Sequence, residues 1–397
     1  MNKSLNKSFR FLSKLTALSL TLTAFSCSTQ PTEEQAQDTS SQPSEVSAEG
    51  VPQVVASYSV LCDLTEQIAQ ITVDVTCLID AGQDPHVYSA TPADRRAIEE
   101  AELVLYGGYE FEPEIIQMVE ATDLSAPAVA ISEVAVSEPL LGEHHDHGHA
   151  EHAEGEGHEE HAEGEHHEEH AEGEHHDHGH EEHAEGEGHE EHAEGEGHEK
   201  HAEGEMEADP HVWHDAENGV AMVQAIQAQL SEVSPENASL YESNAEALIA
   251  QLEQLDTWIQ AQIDTVPATG RTLISTHGAL GYYANAYSIE LEPALDSFST
   301  EARPSAADIK GLVDVVAEKN VPSIFVESTS NPGLIEAVSR ETDIAISDDP
   351  IYADGLGEAG TSAESYQGML VANTCTIVSG LGGTCDQAAA QDLLPAK

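Results

Sequence analysis

Four histidines stand apart from the histidine-dense stretch of this 397-residue chain, at positions suited to metal chemistry: His86, His211, His214 and His277. His86 follows the apolar run VDVTCLI through the turn DAGQDP, and His277 directly follows the run TLIST. Imidazole nitrogens are common zinc ligands. The chain contains no H-E-x-x-H motif, so the fold would have to bring distant residues together to form a site.

Carboxylates occupy comparable positions. Asp348, Asp349 and Asp354 follow the run IAIS, and Glu327 ends the run SIFVE. Ligands of open parallel sheets bind outside the carboxyl ends of the strands. Each histidine taken singly is more readily explained as an ordinary loop or helix-cap residue. Several of them after strands or turns, beside a histidine-rich segment, favour a metal site.

The histidine-dense segment is a tandem repeat. Of the 23 histidines, 19 lie between positions 144 and 201, and residues 143–209 also contain 27 acids and one lysine. Near copies of HAEGEGHEE occupy residues 152–160, 161–169, 183–191 and 192–200. With no apolar periodicity, the insertion at residues 143–207 is expected to be disordered without metal. We expect it to collect zinc weakly.

The net charge is strongly negative, with 75 acids against 13 bases, a formal −62. Such a charge repels nucleic acid and anionic lipid, so neither is an expected partner. Cations are the natural ligands. The acidity extends beyond the repeats, and a salt-adapted proteome explains that background equally well.

The N-terminus resembles an export signal. Residues 1–26 combine a basic start with a short apolar run, too short to span a bilayer. Ser26-Cys27 resembles a bacterial lipoprotein cleavage site, with Cys27 lipidated; ordinary signal cleavage nearby is the alternative. Residues 28–50 are polar and predict a flexible tether. We therefore expect a periplasmic protein or one at the outer face of the cytoplasmic membrane, touching the membrane only through a lipid anchor.

Four further cysteines suit an oxidising compartment: Cys62, Cys77, Cys375 and Cys385. They allow three pairings. Because short loops close easily, we favour Cys62–Cys77 and Cys375–Cys385. No C-x-x-C is present, which argues against a thiolate zinc site.

Apolar runs and amphipathic segments alternate in βα order, which indicates an α/β fold with mostly parallel sheets flanked by helices. We predict an N-terminal lobe at residues 51–232 and a C-terminal lobe at residues 267–397. A helical run at residues 233–266 joins them, and its length suggests a rigid connector rather than an ordinary packed helix. A cleft between the lobes would gather the histidines and carboxylates.

Five segments resemble bacterial zinc and manganese ABC-transporter solute-binding proteins. They are DAGQDPHVYSATPADRRAIEEAELVLYGG (80–108), DPHVWHDAEN (209–218), ISTHGALGYYANAYSIE (274–290), IFVESTSNPGLIEAVSRET (324–342) and IYADGLGEAGTSAESYQGMLVANTCTIVSGL (351–381). The resemblance covers residues 51–381 apart from the repeats. It implies two lobes joined by an interdomain helix, and metal ligands at His86, His211, His277 and Asp354.

The resemblance also bears on the metal. Histidine at the third ligand position is typical of zinc-type members, whereas manganese-type members often carry glutamate there. Nitrogen ligands suit Zn²⁺, and Mn²⁺ prefers more oxygen. A manganese or mixed receptor remains the alternative, because some members with three histidines and an aspartate handle manganese.

Residues around the ligands carry secondary expectations. Glu327 or Asp296 could hold the second N–H of a ligating histidine; a helix-capping or solvent-facing acid is the alternative. His214 stands where the family usually has leucine, as a polar rim residue or an auxiliary capture ligand. Ala216 replaces the usual proline, and Asp215 could still cap the helix that follows.

The leading hypothesis is a monomeric zinc receptor that delivers Zn²⁺ to an ABC permease in the membrane, without catalysis. A zinc hydrolase would need an open coordination position, and the sequence offers only Glu327 as a conceivable base. A metal-buffering, adhesin-like surface protein is the third possibility.

Overall fold

The structure is a computed structural model that describes residues 50–143, 206–295, 297–301, 304–319 and 321–395. The predicted signal and tether, Cys27, the repeats at residues 144–205 and Asp296 lie outside the described residues.

The N-terminal lobe is built on a four-stranded parallel sheet of strand order β2-β1-β3-β4. Five of the six residues of β1 are buried, as expected for a central strand covered on both faces. The elements in chain order are β1 (Gln53–Tyr58), α1 (Ser59–Ala69), β2 (Asp74–Ile79), α2 (Pro92–Glu100), β3 (Leu103–Tyr106), α3 (Pro113–Ala121), β4 (Ala128–Ala130) and α4 (Ile131–Ala135).

A short antiparallel ribbon brackets the histidine-rich insertion. Strand β5 (Leu141–Glu143) pairs with β6 (Met206–Ala208), and Glu143 is opposite Met206. The two chain ends that flank residues 144–205 are therefore adjacent, directly before the segment that carries His211.

Two long helices follow, α5 (Ala216–Val233) and α6 (Ala238–Ile263). Helix α6 lies within residues 233–266, where the sequence predicted a connector, and it is also packed against the core. One face of α6 is buried along its whole length, from Tyr241 to Ile263, and it packs against α1 and α5. Its apolar side chains recur at helical spacing, which gives the helix a stripe that must be covered.

The C-terminal lobe contains short parallel strand pairs, β7 with β8 and β9 with β10. A backbone hydrogen bond from Phe325 N–H to the carbonyl of Ile274 links the two pairs. The elements are β7 (Thr272–Ser275), α7 (Gly281–Tyr287), β8 (Glu290–Pro293), α8 (Ala306–Lys319), β9 (Ser323–Ile324), α9 (Gly333–Thr342), β10 (Ala345–Ile346) and α10 (Tyr366–Gly380). The predicted α/β architecture, with parallel sheets flanked by helices and one long helix between the lobes, is confirmed.

Buried apolar side chains form two clusters. The larger contains the core of the N-terminal lobe together with residues of α6, α7 and α10, so one continuous core extends through both lobes. The smaller lies between the C-terminal strands and helices α8 and α9; its buried members are Ile274, Ala294, Leu295, Leu312, Val316, Val321, Ile324, Leu334, Ile335 and Val338.

Two disulfides fasten the lobes internally. Cys62 on α1 is bonded to Cys77 on β2, and Cys375 on α10 is bonded to Cys385. These are the pairings that short loop closure favours. Among the helices of the described ranges, none is both long enough and apolar enough to cross a bilayer.

Candidate metal centre

Four buried side chains from distant parts of the chain converge on one point: His86, His211, His277 and Asp354. Oδ1 of Asp354 lies 3.5, 3.4 and 3.1 Å from the Nε2 atoms of His86, His211 and His277, in that order. The Nε2 atoms of His86 and His211 are 3.3 Å apart. None of the four residues is more than 4% exposed.

The N-terminal lobe presents its two histidines through the same tripeptide, Asp-Pro-His. At the first copy, Asp84 caps a 3-10 turn (Pro85–Val87), and its Oδ1 accepts the backbone N–H of His86 at 3.0 Å. Proline at the first turn position is favourable because its missing N–H would have no partner there. Oδ2 of Asp84 accepts the hydroxyl of Thr300 at 2.6 Å, a contact between the two lobes.

At the second copy, Asp209 accepts two hydrogen bonds from His211. Its Oδ1 accepts the backbone N–H at 2.9 Å and the ring Nδ1–H at 2.8 Å. A carboxylate only accepts hydrogen bonds, so Nδ1 of His211 carries a proton and Nε2 is the ring nitrogen that faces the centre. Sequence reasoning missed Asp209; the repeated Asp-Pro-His motif was the signal that could have identified it.

His277 is oriented by Glu327 in the same way. Oε2 of Glu327 accepts the ring Nδ1–H of His277 at 2.7 Å and the hydroxyl of Ser330 at 2.7 Å. Its Oε1 accepts the backbone N–H groups of Thr276 and His277 at 2.9 and 3.1 Å. Glu327 is buried and accepts four hydrogen bonds, so the solvent-facing alternative for this residue is wrong.

The loop that carries Asp354 is fixed on both sides. Asn373 on α10 bonds the backbone N–H and carbonyl of Tyr352, each at 2.8 Å. Ser59 on α1 accepts the backbone N–H of Leu356 at 2.9 Å. Oδ2 of Asp354 accepts the hydroxyl of Thr329, which leaves Oδ1 facing the histidines.

His214 is fully buried but is not one of the four converging residues. Its Nε2–H donates to the carbonyl of Ala353 at 2.7 Å, so it holds the peptide that precedes Asp354. Burial, with the nearby charge of His211, lowers the pKa of His214 to about 3, and its ring is neutral at physiological pH. Asp348 and Asp349 lie elsewhere, on a separate cavity beside α10.

An aromatic wall closes the N-terminal side of the centre. The ring of Phe111 lies 5.0 Å from that of His86 and 5.5 Å from that of His211. Trp213 lies 4.7 Å from Phe111 and 5.4 Å from His211. Both rings are fully buried, and electrostatic attraction is stronger in such a low-dielectric environment.

The charges around the centre favour a cation. Burial acts against the charged form of the His277 imidazole, yet the carboxylates of Glu327 and Asp354 raise its pKa well above the usual value. Burial likewise opposes ionisation of Asp354, but His277 and hydrogen bonds from the three histidines hold its pKa well below the usual range.

The donor atoms fit a zinc-sized ion. Zinc bound tetrahedrally at about 2.0–2.1 Å requires donor atoms about 3.3 Å apart. Four of the six distances among these atoms run from 3.1 to 3.5 Å, and all four atoms lie within 4.8 Å of one another. Three nitrogens and one carboxylate oxygen are a donor set that zinc accepts.

Comparison with known proteins agrees with this geometry. The family described as zinc-uptake complex component A, periplasmic, matches residues 54–380. The manganese-binding lipoprotein MntA of Halalkalibacterium halodurans is 27% identical over 328 residues, covering 83% of this chain and 88% of the relative. The manganese ABC transporter substrate-binding lipoprotein PsaA of Streptococcus mitis is 27% identical over 339 residues, with the same coverage.

Among solved structures, the periplasmic zinc-binding protein TroA of Treponema pallidum superposes with a TM-score of 0.65 at 26% identity, covering 84% of this chain and 99% of TroA. The family match extends over both lobes and includes all four converging residues. The chain therefore belongs to the zinc-uptake complex component A family, the substrate-binding proteins of metal ABC transporters.

Proposed function

We propose that this protein is a zinc receptor that captures Zn²⁺ outside the cytoplasm and delivers it to a membrane permease. The observation that carries the proposal is the convergence of three histidine nitrogens and one carboxylate oxygen within 4.8 Å of one another, with four of the distances between them at 3.1–3.5 Å. His86, His211, His277 and Asp354 are the proposed ligands.

Zinc is proposed over manganese because three of the four donors are imidazoles. Nitrogen ligands suit zinc, and manganese is the weakest binder among the divalent first-row metals. Manganese is the second candidate, since the relatives MntA and PsaA are named for it.

We propose a binding role without catalysis. Catalytic zinc sites leave one coordination position to water or substrate, whereas closed sites fill all four. Here protein atoms supply four donors, and every one of these residues is buried. Glu327, considered from the sequence as a possible base, has both oxygens engaged in hydrogen bonds.

Other assignments follow the same proposal. Glu327 and Asp209 orient the ligating histidines, and His214 holds the Asp354 loop. Residues 51–232 and 267–397 act as two lobes around the ion, joined by residues 233–266. The protein is exported, anchored through lipidated Cys27 and monomeric; the relatives named lipoproteins support the anchor.

Metal analysis of a variant lacking residues 144–205 tests the receptor proposal. A short turn can join β5 to β6, because the two strands are already paired. Purified without added metal, the variant should contain about one zinc ion per chain. In competition titrations zinc should bind more tightly than manganese, and a preference for manganese would overturn the zinc assignment.

Two matched substitutions identify the ligands. His277→Gln should weaken zinc binding by about two orders of magnitude or more, because it leaves an incomplete shell. His214→Gln is the control: it replaces an equally buried histidine and keeps an N–H donor for Ala353. Similar affinities for the two variants would contradict the proposed ligand set.

The insertion is proposed to collect zinc with low affinity. Only neutral imidazole binds metal, so collection should fail as the pH falls toward about 6. Calorimetry of the intact and deleted proteins at about pH 7.5 and about pH 6 compares their capacities. Equal zinc stoichiometry of both proteins at the higher pH would exclude a collecting role.

A further inference from the structure

The two oxygens of Asp354 have different environments. Oδ1 faces the three histidine nitrogens at 3.1–3.5 Å. Oδ2 accepts a hydrogen bond from the hydroxyl of Thr329. The residue is 1% exposed, so solvent does not compete for either oxygen. Asp354 therefore offers the centre a single oxygen.

The backbone holds Thr329 in this position. Glu327 and Ile351 form an isolated parallel bridge, and the N–H of Ser328 donates to the carbonyl of Ile351 at 2.8 Å. The loop that follows β9 is thus tied to the segment that leads to Asp354. The side chain of Glu327 in turn accepts hydrogen bonds from the backbone of Thr276 and His277. The hydroxyl of Thr329 is consequently fixed relative to both the carboxylate and the third histidine.

The number of oxygens a carboxylate donates changes which metal it suits. Carboxylates bind metal ions through one oxygen or through both. Structural zinc sites are almost always four-coordinate, whereas manganese favours sites richer in oxygen. A hydroxyl bonded to Oδ2 opposes two-oxygen binding, because bringing Oδ2 to the ion breaks that hydrogen bond. We propose that Thr329 determines metal specificity: it keeps Asp354 a one-oxygen donor, so the centre is four-coordinate and favours zinc over manganese.

This inference rests on the proposed function as a zinc receptor and adds a residue that does not itself touch the ion. Thr329 is a positioning residue that acts through Asp354. Removing its hydroxyl should free Oδ2 to approach the ion. The coordination number would then rise, and the affinity for manganese would increase relative to the affinity for zinc.

The test compares four full-length proteins: unmodified, Thr329→Val, Thr329→Ser and Thr329→Ala. Valine has the shape of threonine without the hydroxyl, alanine also lacks the hydroxyl, and serine keeps it. All four carry the same histidine-rich insertion, so its metal binding cancels in the comparison. The first measurement is the ratio of zinc to manganese affinity by competition. The second is the visible spectrum with sub-stoichiometric Co²⁺, whose absorption is intense in tetrahedral sites and weak at higher coordination numbers.

We expect Thr329→Val to narrow the zinc-to-manganese ratio by about tenfold or more, the usual scale for residues that hold a ligand, and to weaken the Co²⁺ absorption. Thr329→Ser should have the same affinity ratio and Co²⁺ spectrum as the unmodified protein. Thr329→Ala, a second variant without the hydroxyl, should have those of Thr329→Val. The inference is overturned if valine and serine give the same ratio and spectrum. It is also overturned if valine weakens both metals equally with a tetrahedral spectrum, or if the unmodified protein lacks that spectrum. Failure of the unmodified protein to prefer zinc would instead refute the proposed function.

Discussion

Replacing Glu327 by glutamine tests whether this carboxylate sets the tautomer of His277. A carboxylate accepts at both oxygens, but an amide has only one accepting oxygen. Two backbone N–H groups, from Thr276 and His277, fix where that oxygen must lie. The amide NH₂ then faces Nδ1 of His277, at the position from which Oε2 accepts the ring N–H at 2.7 Å.

The consequence reaches the ion directly. Facing a donor, Nδ1 of His277 must become an acceptor, and the ring proton moves to Nε2. In that tautomer Nε2 of His277, which lies 3.1 Å from Oδ1 of Asp354, carries a proton that points at the ion position. Zinc can bind only if the ring gives up its hydrogen bond to the amide. Losses of this kind weaken metal binding by about 10–100-fold, or about 1.4–2.7 kcal/mol.

Asp209→Asn is the matched control, because Asp209 uses its oxygens differently. Oδ1 accepts both hydrogen bonds from His211, while Oδ2 is buried without a hydrogen-bond partner among the described residues. An asparagine oxygen can replace Oδ1 and keep the tautomer of His211. The NH₂ group of this asparagine would be buried without a partner both with and without zinc. It should therefore lower the stability of the fold rather than the affinity for zinc.

Zinc affinity measured by competition with a chromophoric chelator separates the two variants. Glu327→Gln should reduce the zinc affinity at least about tenfold, and Asp209→Asn should reduce it clearly less. If the two variants lose affinity to the same extent, charge rather than tautomer controls the site, and the reasoning is refuted.

Three further predictions concern His277 and the buried carboxyl of Glu112. His277→Glu should narrow the preference for zinc over manganese, because it replaces nitrogen by oxygen; competition titration of both metals measures this, and an unchanged ratio would count against it. Since neighbouring carboxylates raise the pKa of His277 against the effect of burial, zinc must displace its proton, so affinity should fall as the pH falls. Calorimetry near pH 7 in buffers of different ionisation enthalpy should detect protons released when zinc binds, and an absence of proton release would contradict the pKa shift. Burial raises the pKa of Glu112 from 4.5 to about 7, so the folded state loses stability as the pH rises from the lower value through the higher. Glu112→Gln should therefore raise the free energy of unfolding of the metal-free protein by up to about 3 kcal/mol at pH 8 and by much less at pH 5. Urea unfolding at both pH values measures this, and an equal increase at both would contradict the prediction.

The sequence and its family resemblance predicted the four residues that meet, and Glu327 as a partner of a ligating histidine, but not Asp209 or Thr329. His86 and His277 follow strands of parallel pairs, at the strand ends where ligands bind, and a pattern of apolar runs already indicates such strands. The full set of four ligands was implied by the resemblance. The hydroxyl of Thr329 on Asp354 depends on side-chain orientation across two loops, and no pattern in the chain encodes that orientation. The contact of Phe111 with His86 could not be predicted either, because an apolar residue in a loop gives no indication of what it packs against.

The packing of α6 illustrates a different limit. Helix length alone indicated a connector, yet Leu248, Leu252, Leu255 and Ile259 recur at three- and four-residue spacing and are all buried. That spacing was readable in the sequence and predicts a covered face. Length was the weaker signal, because a long helix can join two lobes and also serve as the core of both.

That shared core makes wide opening of the lobes on metal loss unfavourable. The start of α10 is fastened to the N-terminal lobe: the backbone N–H of Tyr366 donates to Asp63 at 2.8 Å, and its buried hydroxyl donates to the carbonyl of Trp213 at 2.6 Å. Opening the lobes would break both bonds and expose apolar surface of the larger cluster, at about 25 cal/mol per Å². We therefore expect the radius of gyration to change little when zinc is removed from the protein lacking residues 144–205. Small-angle scattering with zinc and with a chelator measures this. A large expansion without zinc would mean that the continuous core does not hold the lobes together, and that the ion does.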